Sequence, residues 1–188
     1  MHVARPATPR LAPIEKVAAK ARETMKDQPI NAVNVTATMA HNRVMSKAIG
    51  TFAQTILFGG DLPRRQVEIA VLRMGWNCGA IYEFGQHTLF GRAAGLSDAE
   101  IYGTTRPIAD GSWSAPDAVI LQIVDDLYVD DCVTDATWAE ATAHFSNSDM
   151  VHIVAAGGCY RLVSGFLNSA GVQLDEGVPG WPTAPTNP

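Results

Sequence analysis

Between two proline-bearing ends, apolar residues recur every three to four positions, the period of helices that bury one face. No stretch of useful length alternates as a half-buried strand does. The pattern predicts a helix from about Pro13 to Lys26, rich in Ala, Lys and Glu, and then an irregular stretch, "NAVNVTATM". Asn42 is placed to cap a helix that runs to Phe58 and stops at Gly59 and Gly60. Pro63 suits the first turn of the next helix, which runs to about Trp76. Asn77 and Gly79 break the pattern, and a further helix covers Ala80 to Ala94 with Gly95 as its stop. "SDAE", Ser97 to Glu100, reads as a capping box, and "SAPD" and "TDAT" open two more helices. The last helix runs from about Ser148 to Ala170 and ends at Gly171. Inside it Gly157, Gly158 and Gly165 each cost roughly 1 kcal/mol relative to Ala, which tight helix packing would offset. The fold class is all-α.

The ends read differently. Pro6, Pro9 and Pro13 at one end and Pro179, Pro182, Pro185 and Pro188 at the other predict extended arms over residues 1–13, which include His2, and 175–188. They flank a single helical domain of residues 14–174. Trp181 is the exception in its arm: an aromatic of that size is expected to pack on its own domain or on a neighbouring subunit.

Composition narrows the function classes. A net charge of -5 with scattered basic residues argues against a nucleic-acid surface. No run is read as approaching the length of a membrane span, and Met1 to Lys20 lacks a signal-peptide apolar core, so a cytoplasmic protein is expected. Cys78, Cys132 and Cys159 form no CxxC, which points to free thiols in a reducing compartment, each read as a small buried hydrophobe. Cys78 also stands close to a helix start, where a thiol can be activated, but redox chemistry through it lacks a resolving partner.

Three ionisable residues sit in apolar context. Glu68, in "QVEIAVLRMGW", is either a surface glutamate paired with Arg64 four residues earlier or a buried acid with a desolvated carboxyl. Arg73 is badly placed to pair with it. Glu83 and His87, four apart, share a helix face with Ala80, Phe90 and Ala94, as a structural pair or as a carboxylate that poises an imidazole. Together with Glu68 they could in principle hold a metal, but one histidine without a second at ligand spacing does not make a metal site, and none is expected. The Tyr160 hydroxyl could reach a site, and His41 could project into a cleft. His144 falls near a helix end and His152 in the glycine-bearing helix.

The segments "LPRRQVEIAVLRMGWNCGAIYEFGQHTLFGRAAGLSDAEI" and "WAEATAHFSNSDMVHIVAAGGCYRLVSGFLNSAGV" resemble the carboxymuconolactone decarboxylase family, which shares its fold with alkylhydroperoxidase D. The resemblance covers roughly residues 40–172 and implies an all-helical subunit assembled into trimers or hexamers, with sites close to subunit contacts. The peroxidase branch of that fold uses a CxxC ahead of a histidine, with an upstream glutamate. With His87 on that histidine, Glu68 falls on the glutamate, while Ala80 and Glu83 stand where the cysteines should be. Cys78 is two residues out of register.

The resemblance to the decarboxylase branch therefore implies a cofactor-independent lyase or isomerase acting on a small carboxylated or lactone-like metabolite. His87 would move a proton, Glu83 would orient it, and Glu68 would be a second acid–base group, with Trp76, Cys78, Tyr82, Tyr160 and His41 in the wall of the pocket. Two alternatives stand beside it: a thiol-dependent antioxidant enzyme working through Cys78, and a non-catalytic helical oligomer.

Overall fold

A computed structural model describes residues 4–26 and 32–184. His2, Asn31 at the start of "NAVNVTATM", and Pro185 and Pro188 of the second arm lie outside the described residues. The chain folds into α1 (Glu15–Met25), α2 (Val33–Met39), α3 (Arg43–Phe58), α4 (Arg64–Asn77) and α5 (Ile81–Ala93). These are followed by α6 (Asp98–Gly103), a short 3-10 turn at Ile108–Asp110, α7 (Ala115–Asp130), α8 (Asp135–Ala141) and α9 (Asn147–Ala170). No strand occurs among the described residues.

Most boundaries follow from local chemistry. The Asn42 side chain accepts from the Met45 amide, Ser97 and Glu100 close their capping box, and Gly171 ends α9 in the left-handed region. α9 carries a second capping box, Ser146 with Asp149, so it starts slightly before the expected Ser148. The expected irregular stretch is the clearest departure, because residues 33–39 form α2. Its Asn, Val and Thr residues are weak helix formers. The helix stands because Val33 and Ala37 are buried against Ala18 and Ala21 of α1.

α4 is the hub. Every residue from Val67 to Gly75 is buried, so it runs through the core with α5, α7 and α9 packed around it. Its one deeply placed cation other than Arg64, Arg73, does not turn toward Glu68. It forms a two-bonded pair with Asp125 of α7 at 2.7 and 2.6 Å and donates to the carbonyls of Thr104 and Arg106. Asn77 donates to the same Asp125 at 2.7 Å, so it is a structural link between helices.

The glycines of α9 divide. A Cβ at Gly157 would fall 2.8 Å from Leu127 Cδ1, so this position does admit close packing of α9 on α7. At Gly158 and Gly165 a Cβ would meet nothing within 4 Å, so no other helix of this chain packs closely on those two. α9 is also long and apolar enough to cross a membrane by length and composition, contrary to the sequence expectation. Half of its most apolar window is buried inside the fold, as in the core helix of a helical domain.

Both extended segments pack onto this frame. Arg5 donates to the carbonyls of Cys78 and Gly79 at the α4–α5 break, and the Arg10 amide reaches Ala170 at 2.9 Å. Trp181 lies 5.2 Å from both Trp76 and Phe84, so of the two expected partners for it the structure shows its own domain. Gly85 of α5 makes room for that segment: a Cβ there would stand 2.3 Å from the Pro179 carbonyl oxygen.

Candidate active site

The break at residues 77–80 turns the chain so that α5 runs back along α4. Gly79 takes φ of 59°, where a side chain would be strained. Gly75 lets α5 approach closely, since a Cβ there would lie 3.4 Å from Glu83 Cγ. The result places Glu68 of α4 opposite Glu83 and His87 of α5. His87 lies between them, with Nδ1 2.7 Å from Glu68 Oε2 and Nε2 3.1 Å from Glu83 Oε1.

All three are buried: Glu68 is 0%, Glu83 3% and His87 5% exposed. Both sequence readings of Glu68 hold at once, because it is buried and also paired to Arg64, whose Nη2 is 2.5 Å from Oε1. That contact is an ion pair without hydrogen-bond alignment. Arg64 is itself gripped between the rings of Phe58 and Phe90, at 4.5 and 5.2 Å, and donates to the Leu57 carbonyl.

Four charges therefore alternate in a row: Arg64, Glu68, His87, Glu83. Burial by itself pushes the imidazole pKa down, but the two flanking carboxylates outweigh it and raise His87 from 6.5 to about 9. The ring is thus an imidazolium near neutrality, neutralising the carboxylates on either side. A raised histidine pKa adds stability that is complete below the unfolded value of 6.5 and is lost as pH climbs through about 9. At full extent this amounts to roughly 3 kcal/mol. Urea midpoints measured from pH 6 to pH 10 are expected to fall most steeply between pH 7 and 9. A flat profile across that window would show that His87 is not held charged.

Glu83, His87, Tyr82 and Tyr160 line a cavity of about 380 Å³, mostly apolar, walled by α2, α3, α5 and α9. Glu68 does not line it and supports His87 from behind. Three expected wall residues are not there. Trp76 packs under Trp181, and His41 is exposed with Nε2 2.9 Å from the Ala12 carbonyl oxygen. Cys78 caps the end of α4, its thiol 3.7 Å from Met74 Sδ. Burial, helped by Glu83, raises the Cys78 pKa despite opposing contributions from Arg161, Ser164 and Arg5, so the thiol is not activated. Cys159 is a buried thiol pushed up to about 11 by burial and Glu83, whereas Cys132 is exposed, against expectation. His152 ties α9 to α3 through the Ile56 carbonyl at 2.8 Å.

Sequence reasoning put Phe90 on the face of Glu83 and His87, and missed Gln86 and the apolar wall from α2 and α3. It also missed Asp175, which accepts from the Tyr82 hydroxyl at 2.5 Å and Gln86 at 2.9 Å while its other oxygen takes the Asn34 amide. Phe90 stands one turn beyond His87 and lines the cavity, as helical periodicity placed it. Asp175 is 93 residues from Tyr82, and no local pattern marks it.

No protein-family model matches the chain, and no curated protein matches it in sequence. Solved structures do. A peroxidase-related protein from Ralstonia eutropha JMP134 with an alkylhydroperoxidase AhpD core aligns at TM-score 0.75 and 16% identity, covering 94% of each chain. A protein of unknown function from Agrobacterium tumefaciens, suggested to be the antioxidant defence protein AhpD, gives 0.69 and 19%, covering 73% of this chain and 94% of that one. An alanine variant of the debrominase Bmp8 in complex with 2,3,4-tribromopyrrole gives 0.74 and 10%, covering 90% and 94%. The chain therefore has the AhpD-like helical fold, shared with the carboxymuconolactone decarboxylases. The solved structures that share this fold include peroxidase-related proteins and a debrominase.

Proposed function

We propose that the chain is a cofactor-independent lyase or isomerase that acts on a small lactone-like or carboxylated metabolite by proton transfer at carbon. One observation carries this reading: Glu83 Oε1 is buried, belongs to a residue lining the cavity, and is held among the described residues only by the ion pair to His87 Nε2 at 3.1 Å, which lacks hydrogen-bond alignment. A carboxylate kept out of water and held by an ion pair alone keeps a lone pair free to take a proton.

The sequence-level roles shift accordingly. Glu83 is the group that faces substrate. His87 holds it as a carboxylate and can return a proton through Nε2. Glu68, fixed by Arg64, sets the ring orientation through Nδ1. A reading through Cys78 has less support, because its thiol is unactivated and outside the cavity wall.

We also propose that the protein assembles as a homotrimer or homohexamer. Val151, Gly158, Leu162 and Gly165, spaced seven, four and three residues apart, form an exposed stripe along α9, with Val151 71% and Leu162 53% exposed.

Deuterium uptake from heavy water into a panel of small lactones and keto acids tests the function. The protein is expected to label at least one of them at carbon, and Glu83→Gln to stop it. Equal labelling by the variant would remove Glu83 from the reaction.

A further inference from the structure

Tyr160 has a feature that neither its burial nor its packing explains. Its side chain is 3% exposed, lines the cavity, and sets its ring edge-on to His87 at 4.8 Å. A buried tyrosine normally spends its hydroxyl on a fixed partner. Tyr82 on the opposite wall does so, donating to Asp175. The Tyr160 hydroxyl makes no hydrogen bond among the described residues and is not sealed off from the cavity. It is a donor left open toward whatever occupies the space.

A second observation concerns charge. Among the described residues no Lys or Arg lines the cavity, and Arg64 is turned behind Glu68. The row of four charges already sums to zero, and of its members Glu83 and His87 line the cavity as a neutral pair. The one cation that lines the cavity among the described residues, His87, is already neutralised by Glu68 and Glu83, so an anionic substrate would be desolvated beside Glu83 with no uncommitted cation to receive it. A neutral molecule meets no such barrier, and the apolar wall favours it.

We infer that Tyr160 is a catalytic residue that donates a hydrogen bond to a substrate carbonyl oxygen, and that the substrate is a neutral, largely apolar carbonyl compound rather than a carboxylate. The inference rests on the reading of Glu83 as the proton-transferring base. Glu83 takes a proton from the carbon beside the carbonyl. The C–H bond breaks, its electron pair forms a carbon–carbon double bond, and the carbonyl oxygen takes up the negative charge. The Tyr160 O–H stabilises that oxygen. The proton then returns to a carbon further along the conjugated system, so the double bond shifts and Glu83 is again a carboxylate. Nothing is oxidised or reduced. Burial, with Glu83 and Glu68 nearby, raises the Tyr160 pKa, so the phenol keeps its proton and stays a donor. A decarboxylation would need the anion that the cavity is built to refuse, which makes the reaction an isomerisation.

The test uses cyclohex-3-enone in heavy water, with exchange beside the carbonyl and the double-bond shift followed by NMR, and the same-shaped cyclohex-3-ene-1-carboxylate as the competing ligand. The wild type is expected to exchange the ketone well above the buffer rate and to show binding shifts with the ketone only. Tyr160→Phe is expected to slow exchange by about 10²- to 10³-fold. Its melting temperature should not change, because the lost hydroxyl has no partner in the fold. A Tyr160→Phe rate equal to wild type overturns the tyrosine's role and leaves Glu83 in place. Binding of the carboxylate as tight as that of the ketone overturns the substrate class alone. Exchange that survives in Glu83→Gln overturns the acid–base reading beneath it, and a wild type that neither binds nor exchanges the ketone counts against both.

Discussion

His87→Ala is expected to destabilise the protein by about 3–5 kcal/mol, the cost of removing one member of a buried charge set and leaving its partners unpaired. For a domain of this size that lowers the melting temperature by on the order of 10 °C. The imidazolium neutralises Glu68 and Glu83 together, at 2.7 and 3.1 Å, in a place where both carboxylates are almost without solvent. Arg64 still serves Glu68 in the variant, so the stranded charge is Glu83. Adding Glu83→Gln to His87→Ala should therefore recover part of the loss, a non-additivity that a double-mutant cycle measures by urea unfolding. A loss below about 1 kcal/mol in the single variant, the scale of an ordinary hydrogen bond, would mean that the row of charges is not coupled.

Glu83→Gln is the complementary case, with a large effect on chemistry and a small one on folding. The amide keeps the shape of the side chain and removes the base. Loss of a positioned general base lowers turnover by about 10²- to 10⁴-fold. The effect is expected in kcat, with KM changing little, since the apolar wall that holds the substrate is untouched. His87 keeps Glu68 as its partner, so the variant should stay folded and retain an imidazolium. A loss confined to KM would make Glu83 a binding group rather than the base.

The parts of this site that could be read from sequence are those set by local rules. Glu83 and His87 share a helix face because they are four apart, and the helix around them begins and ends where Gly79 and Gly95 place it. The all-α class and most helix ends follow from caps that the structure shows in place, at Asn42, Ser97, Ser114 and Thr134.

What could not be read depends on tertiary packing. α2 has a poor helical sequence, and it forms because α1 offers Val33 and Ala37 a surface. That helix then supplies a cavity wall, so the wall was lost with it. Asp175 reaches Tyr82 and Gln86 from a segment whose prolines and glycines say only that it is extended. Cys78 and Trp76 are near the site in sequence, yet the end of α4 carries them away from the cavity that α5 faces. Gly158 and Gly165 look like Gly157 in sequence, and only the position of α7 separates them.

The central claim is that a charged His87 binds Glu68 and Glu83 and leaves Glu83 as the base at the cavity. A nitrogen NMR titration of the His87 ring tests it most directly. A doubly protonated ring at pH 7 is expected, with both ring N–H groups protected from exchange and a midpoint raised to about 9. A ring that is neutral at pH 7 and titrates at or below the ordinary histidine value of 6.5 would contradict it.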